Sequence, residues 1–201
     1  MLYIFDLGNV IVNLDFTRAL GVWSNLSGTP LAHVQQHFQL GPQVERHERG
    51  ELTDEQFAEA LCDELAINLS YPQFVSGWQA IFTGVNQAVL TLIQQLRAEG
   101  HRVVLLSNTN QIHTEFLTQQ YPELFTAVDQ SYFSHHIGLR KPDTAIFHHV
   151  LAEEGVAPEQ AFFVDDLFEN IEAAAQLGIT THLYQDVEGL EAAIQGTGNF
   201  S

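Results

Sequence analysis

The chain predicts an α/β fold: a doubly wound, mainly parallel sheet with a small block of helices inserted after its first strand. Three observations carry this. Short apolar runs alternate with stretches of helical periodicity through the second half of the 201 residues. Three of the apolar runs end abruptly in acidic or small polar residues, where the strands of an open α/β sheet reach its ligand crevice. Between the first run and the alternating part, roughly Asp15 to Phe82, the spacing is helical and no convincing strand occurs.

The elements follow in order. Leu2-Tyr3-Ile4-Phe5 reads as a buried parallel strand, and Gly8-Asn9 as a sharp turn beyond it. Asp6 sits at the strand's carboxyl end, a short anionic nucleophile aimed at the crevice. Within the insertion, Thr53-Asp54-Glu55-Gln56 forms a capping box, followed by Phe57, Leu61 and Leu65 on one helix face. Ser70-Tyr71-Pro72-Gln73 opens another helix, with Phe74, Trp78 and Ile81 aligned. Val89, Leu92, Ile93 and Leu96 mark a helix ended by Gly100. Val103 to Leu106 is a strand ending in Ser107-Asn108-Thr109-Asn110, and a helix is expected near Ile112 to Gln120. A short strand is expected between Ala127 and Phe133, and Asp143 caps a helix carrying Ile146, Phe147, Val150 and Leu151. Phe162-Phe163-Val164 ends in Asp165-Asp166. A helix from about Asn170 to Leu177 and a strand near Thr180 to Leu183 complete the set, and Gly196-Thr197-Gly198-Asn199 is expected to fray. The division is a Rossmann-like core of residues 1–14 and 83–201, interrupted by a helical unit of residues 15–82.

Bulk properties narrow the function. The length supports one domain, or one with a small insertion. Seven basic against 25 acidic residues give a formal charge of -18. That argues against nucleic acids and anionic membranes as partners. It also disfavours an anionic substrate at long range, so a local cation must offset it. One cysteine, Cys62, excludes an internal disulfide and suits a reducing, cytoplasmic setting. No signal peptide and no membrane-spanning run are expected.

The polar strand ends share one chemistry. Asp6, Asp165 and Asp166 would repel one another unless a cation sits among them or their pKa values rise. Hard oxygen donors without nearby cysteines suit Mg²⁺, which keeps several waters and a substrate phosphate. The Ser107 hydroxyl and the Lys141 ammonium, the latter on the turn Gly138-Leu139-Arg140-Lys141-Pro142-Asp143, suit the other phosphate oxygens.

Asp6, Ser107, Lys141 and Asp165-Asp166, in that order, resemble the four motifs of the haloacid dehalogenase (HAD) superfamily, mostly Mg²⁺-dependent phosphatases. FDLGNVIV, LLSNTN, GLRKPD and FVDDLFENI resemble one branch, the bacterial alpha-D-glucose-1-phosphate phosphatases and the phosphatase domain of soluble epoxide hydrolases. The likeness runs from about Leu2 to about Tyr184. It implies that residues 15–82 form a small helical cap over the site. It implies an aspartyl-phosphate on Asp6, and Mg²⁺ held by Asp6, the Gly8 carbonyl and Asp166, with Asp165 as neighbour or water-mediated ligand. Ser107, the Asn108 N–H and Lys141 would hold the phosphoryl oxygens. The expected substrate is a small phosphomonoester, with alpha-D-glucose 1-phosphate foremost among sugar phosphates.

Gly8 departs from the family pattern. Most of these phosphatases carry a second Asp there as general acid and base, a function worth roughly 10²–10⁴-fold. An acidic leaving group, such as an anomeric hydroxyl, tolerates the loss, and a cap residue can replace it. His47 and Glu48 are the candidates, as proton donors or substrate-binding groups. The glycine also disfavours a haloacid dehalogenase, whose corresponding residue is typically aromatic.

Plainer readings exist for each residue. Asp6 suits a Gly-Asn turn, Asp165-Asp166 a helix N-terminus, Ser107 and Asn108 an ordinary turn, and Lys141, His47 and Glu48 a solvated surface. Joint occurrence in family order favours a phosphate site. His33 and His37 share a helix face but lack the acid of a zinc-protease motif, and His135-His136 and His148-His149 read as surface or packing residues. Trp23 and Trp78 read as cap packing, with an aromatic surface against a sugar face as the alternative. A receiver domain uses similar groups in a different chain order. A broad phosphatase of other small phosphomonoesters, or a catalytically weak phosphate-binding module, is the remaining alternative.

Overall fold

The computed structural model describes residues 1–197. β1 (Leu2–Phe5) leads through a tight turn into a short strand, β2 (Val12–Leu14). Five helices follow: α1 (Phe16–Ser27), α2 (Leu31–His37), α3 (Pro42–Glu48), α4 (Asp54–Leu65) and α5 (Tyr71–Gln79). β3 (Phe82–Val85) returns the chain and pairs antiparallel with β2. The rest is α6 (Gln87–Ala98), β4 (Arg102–Ser107), α7 (Gln111–Gln120), α8 (Glu123–Thr126), β5 (Gln130–Phe133), α9 (Ser134–Ile137), α10 (Thr144–Glu154), β6 (Ala161–Asp165), α11 (Phe168–Ala175), β7 (Thr180–Leu183) and α12 (Val187–Thr197).

The main sheet is parallel throughout, in the order β5-β4-β1-β6-β7. β1 is central, so Asp6 lies between the ends of β4 and β6, where Ser107 and Asp165 stand. Side chains alternate across β1, with Tyr3 and Phe5 in the core beneath α6 and α12 and Leu2 and Ile4 in the core beneath α10 and α11. Both faces are therefore apolar, which is why the strand reads as an unbroken run.

A third cluster forms within α1 to α5. Trp23 stacks on Phe74 at 5.0 Å and on Trp78 at 5.9 Å, and Phe57 closes on Trp78 at 5.3 Å. The capping box at α4 is present: Gln56 N–H donates to Thr53 Oγ1 at 3.2 Å, and Thr53 N–H to Gln56 Oε1 at 3.0 Å. Trp23 and Trp78 both pack within this cluster, and Trp78 also borders a cleft between sheet and helical block.

The structure adds elements the periodicity does not show. β2 and β3 bracket the helical block as a two-stranded ribbon, too short for alternation to register. α12 follows β7, burying Leu190 in the core. Gly196 and Thr197 lie within α12 rather than in a frayed tail, and Gly198 and Asn199 lie outside the described residues. Among the described residues no helix is long and apolar enough to cross a membrane.

Gly77 sets the spacing of the helical block. A Cβ there would fall 2.1 Å from Trp23 Nε1, and the fully buried indole, bonded to the Phe74 carbonyl at 2.9 Å, has nowhere to go. Gly77→Ala should therefore cost about 1–3 kcal/mol by overpacking. Urea denaturation checks this; an unchanged midpoint would show that the indole yields freely.

Candidate active site

Lys141 is the centre of the site. It is 1% exposed, and its Nζ donates to Asp6 Oδ1 at 2.6 Å, Asp165 Oδ2 at 2.6 Å and the Leu106 carbonyl at 2.9 Å. All three ammonium protons are thereby placed. Asn108 locks the lysine's own backbone: its Oδ1 accepts from Lys141 N–H and its Nδ2 donates to the Lys141 carbonyl, both at 2.9 Å. The Asn108 side chain thus positions Lys141, a role that turn chemistry alone does not reveal.

The two neighbouring aspartates separate into different roles. Asp165 is fully buried and saturated. Its Oδ1 accepts from Leu167 N–H and Asn170 Nδ2, each at 2.9 Å, and its Oδ2 from Lys141 and Asn170. Asp166 is half-buried and accepts at Oδ2 from Asn9 Nδ2 at 3.1 Å. Its other oxygen faces no side-chain donor among the described residues. Asp6 Oδ2 and the Gly8 carbonyl likewise accept no hydrogen bond there, and Ser107 Oγ, buried in the cleft, has no hydrogen-bond partner among the described residues. Asn9 holds the turn with φ 54°, a left-handed conformation that Asn tolerates.

The electrostatics ask for a cation. Burial pushes the Asp6 carboxyl up to about 7; Lys141 opposes this, while the charges of Asp165 and Asp166 add to it. Burial also raises Asp166, against the Asn9 hydrogen bond. Burial alone would lower the Lys141 ammonium, but the two carboxylates beside it more than offset this and hold it above its ordinary value. With all three carboxylates ionised, one ammonium would leave the cluster two negative charges in excess, and the raised Asp6 and Asp166 carboxyls reflect their burial and that repulsion. The ligand atoms of the three aspartates lie within 4.8 Å of one another, and they are the one group of acidic, His or Cys residues so gathered among the described residues. Open oxygens on Asp6 and Asp166 and at Gly8, with no soft donor present, fit a hard divalent ion.

This cluster floors a cleft of about 240 Å³ between sheet and helical block. Ser107, Asn108, Lys141 and Asp166 line its base, and Phe16, Val44, Trp78, Ile81 and Phe82 its upper wall. Glu48 reaches the cleft; its Oε2 accepts from Arg140 Nε at 2.6 Å. Burial raises the Glu48 carboxyl, with Arg140 opposing. His47 does not line the cleft. Its ring is buried against Phe57 at 4.1 Å and bonded to Asp54 at 2.7 Å, on the far side of α3. The structure thus separates these sequence neighbours, because adjacent helix residues point about 100° apart.

Sequence reasoning does not single out Asn9, Asn170, His113 or Arg140. Asn170 follows Asp165 by five residues in α11 and is the signal most open to discovery, since a buried amide on a helix beside an acid has few other uses. His113, pushed down to about 3 by burial, is neutral, with Nε2 against the Trp78 carbonyl at 3.0 Å and Nδ1 against Asn110 Nδ2 at 3.2 Å.

Comparison with known proteins agrees with this geometry. The sequence model for haloacid dehalogenase-like hydrolases matches residues 1–178. D-ribitol-5-phosphate phosphatase of Bacteroides thetaiotaomicron is 31% identical over 185 residues, covering 89% of this chain and 88% of that protein. A HAD family enzyme of the same organism, crystallised with magnesium and inorganic phosphate, superimposes with a TM-score of 0.81 at 28% identity, over 92% of this chain and 93% of that one. A HAD-like hydrolase from Porphyromonas gingivalis shares the fold at 24% identity, with a TM-score of 0.84 over 100% of this chain and 98% of that one. The chain belongs to the haloacid dehalogenase-like hydrolase family.

Lys141→Ala would leave Asp6 and Asp165 buried without a counter-charge. It should cost about 3–5 kcal/mol of folding stability. Denaturation in the presence and absence of Mg²⁺ measures this, and a parent-like midpoint would place the ammonium outside the cluster.

Proposed function

We propose that the protein is a Mg²⁺-dependent phosphomonoester hydrolase acting through an aspartyl-phosphate on Asp6, with small sugar phosphates as substrates and alpha-D-glucose 1-phosphate foremost. One observation carries the reading: a buried carboxylate at the end of the central strand, with one oxygen pinned by Lys141 and the other open to the cleft. The phosphate-bound relative and the sugar-alcohol phosphatase support it. The buried free thiol of Cys62 supports a reducing, cytoplasmic setting.

The residues divide the work. Asp6, the Gly8 carbonyl and Asp166 would hold the ion. When bound, Mg²⁺ supplies the charge neutralisation that lets an anionic nucleophile approach an anionic phosphoryl group. Ser107 Oγ and the Asn108 N–H orient phosphoryl oxygens, and Lys141 keeps Asp6 in line and adds positive charge. Asp6 attacks phosphorus through a carboxylate oxygen as the ester P–O bond breaks, and the alkoxide departs and takes a proton from water. Water then attacks phosphorus, releasing phosphate and restoring the carboxylate. Asp165 stays in its hydrogen bonds throughout and fixes Lys141.

Gly8 supplies no proton. A Cβ there would meet Leu14 Cδ1 at 2.8 Å, so a leucine fills the space in which a side chain at this position would stand. Catalysis then leans on the leaving group's own acidity, and an anomeric oxygen leaves as a weaker base than a primary alkoxide. A second reading, broad action on less polar phosphomonoesters, is favoured by the apolar upper wall.

Asp6→Asn should abolish turnover in a protein that still folds, and chelation should abolish parent activity reversibly with Mg²⁺. Phosphate release from either preparation at the parent rate would refute the mechanism. Glucose 1-phosphate should exceed glucose 6-phosphate in kcat/KM; the reverse order would remove the leaving-group argument.

A further inference from the structure

Above its phosphate end, the cleft has few groups left to recognise an alcohol. Asn9 spends its amide on Asp166 and on the Leu14 N–H. Asn110 caps α7 and meets His113, which is itself satisfied by the Trp78 carbonyl. Asn170 is committed to Asp165.

One pair differs. Glu48 Oε2 takes Arg140 Nε at 2.6 Å, and Arg140 Nη1 reaches the Lys141 carbonyl at 3.1 Å. Glu48 Oε1 and Arg140 Nη2 have no partner among the described residues, and both side chains line the cleft. A free carboxylate oxygen accepts and a free guanidinium N–H donates. Side by side they match a hydroxyl, which does both, or two neighbouring hydroxyls. The wall around them is apolar and suits the C–H face of a ring.

We propose that Glu48 and Arg140 form the hydroxyl-reading element of the cleft and set its preference for polyhydroxylated over apolar leaving groups. The proposal rests on the phosphatase reading of the site. Glu48 belongs to α3 and Arg140 to the loop that carries Lys141, so a hydroxyl bound across the pair touches the helical block and the core at once.

The test is kcat/KM for the parent, Glu48→Gln and Arg140→Gln, each with Mg²⁺. The substrates are glucose 1-phosphate, its monodeoxy analogues, ribitol 5-phosphate and phenyl phosphate. Phenyl phosphate hydrolysis by the parent tests the phosphatase reading separately and reports folding of the variants. Losing a charge-assisted hydrogen bond should lower the sugar-to-phenyl ratio roughly 10–100-fold in each variant. The parent should discriminate against at least one deoxy analogue, and that discrimination should shrink by a similar factor. The deoxy series keeps the leaving oxygen in place, so a lost proton donor would slow every member alike. Equal losses on all substrates, unchanged ratios, or a parent that prefers phenyl phosphate to both polyol esters would each overturn the proposal while leaving the phosphatase reading intact.

Discussion

A single buried ammonium makes this site possible. Asp6 and Asp165 end adjacent parallel strands, so backbone geometry brings them side by side whatever their charge. Desolvated carboxylates at that spacing repel strongly. Lys141 bridges them at 2.6 Å on each side and anchors its third proton on the end of β4. Three strands are thereby tied at their carboxyl ends by one side chain. Its compensation is incomplete: one ammonium faces three gathered carboxylates, an arrangement that suits a divalent ion.

The hydrogen bonds around the lysine show why supporting residues matter as much as reacting ones. Asn108 clamps the lysine backbone, Asn170 and the Leu167 N–H saturate Asp165, and Asn9 steadies Asp166. Each leaves its neighbour one fewer way to move. The consequence is a division of labour between adjacent acids: Asp165 fully engaged and structural, Asp166 open on one side. In a chain with 25 acidic and seven basic residues, placing Arg140 and Lys141 consecutively at the cleft concentrates scarce positive charge where an anion binds.

The helical block contributes the wall above the phosphate end. Its core is an aromatic stack, Trp23, Phe57, Phe74 and Trp78, closed tightly enough that Gly77 must lack a side chain. Two ion pairs join the block to the core on either side of Lys141-Pro142: Glu48 with Arg140 at 2.6 Å and Arg49 with Asp143 at 3.2 Å. Asp143 begins α10 without a side-chain capping bond, its carboxylate being turned toward Arg49 instead.

By itself the sequence determined the α/β class, the parallel strands and the ends of β1, β4 and β6. Apolar runs buried on both faces and a polar residue at each terminus are local patterns, readable without a partner. The motif residues Asp6, Ser107, Lys141, Asp165 and Asp166 were legible through their joint order along the chain, since each alone also suits an ordinary turn, cap or surface position. Tertiary structure alone decided the rest. It brought Glu48 to the cleft and turned His47 away, because helix orientation depends on what α3 packs against. It also decided which aspartate is saturated, put Leu14 in the space beside Gly8, and paired β2 with β3 across the helical block. Those outcomes rest on contacts between residues far apart in the chain, and periodicity reports only on neighbours.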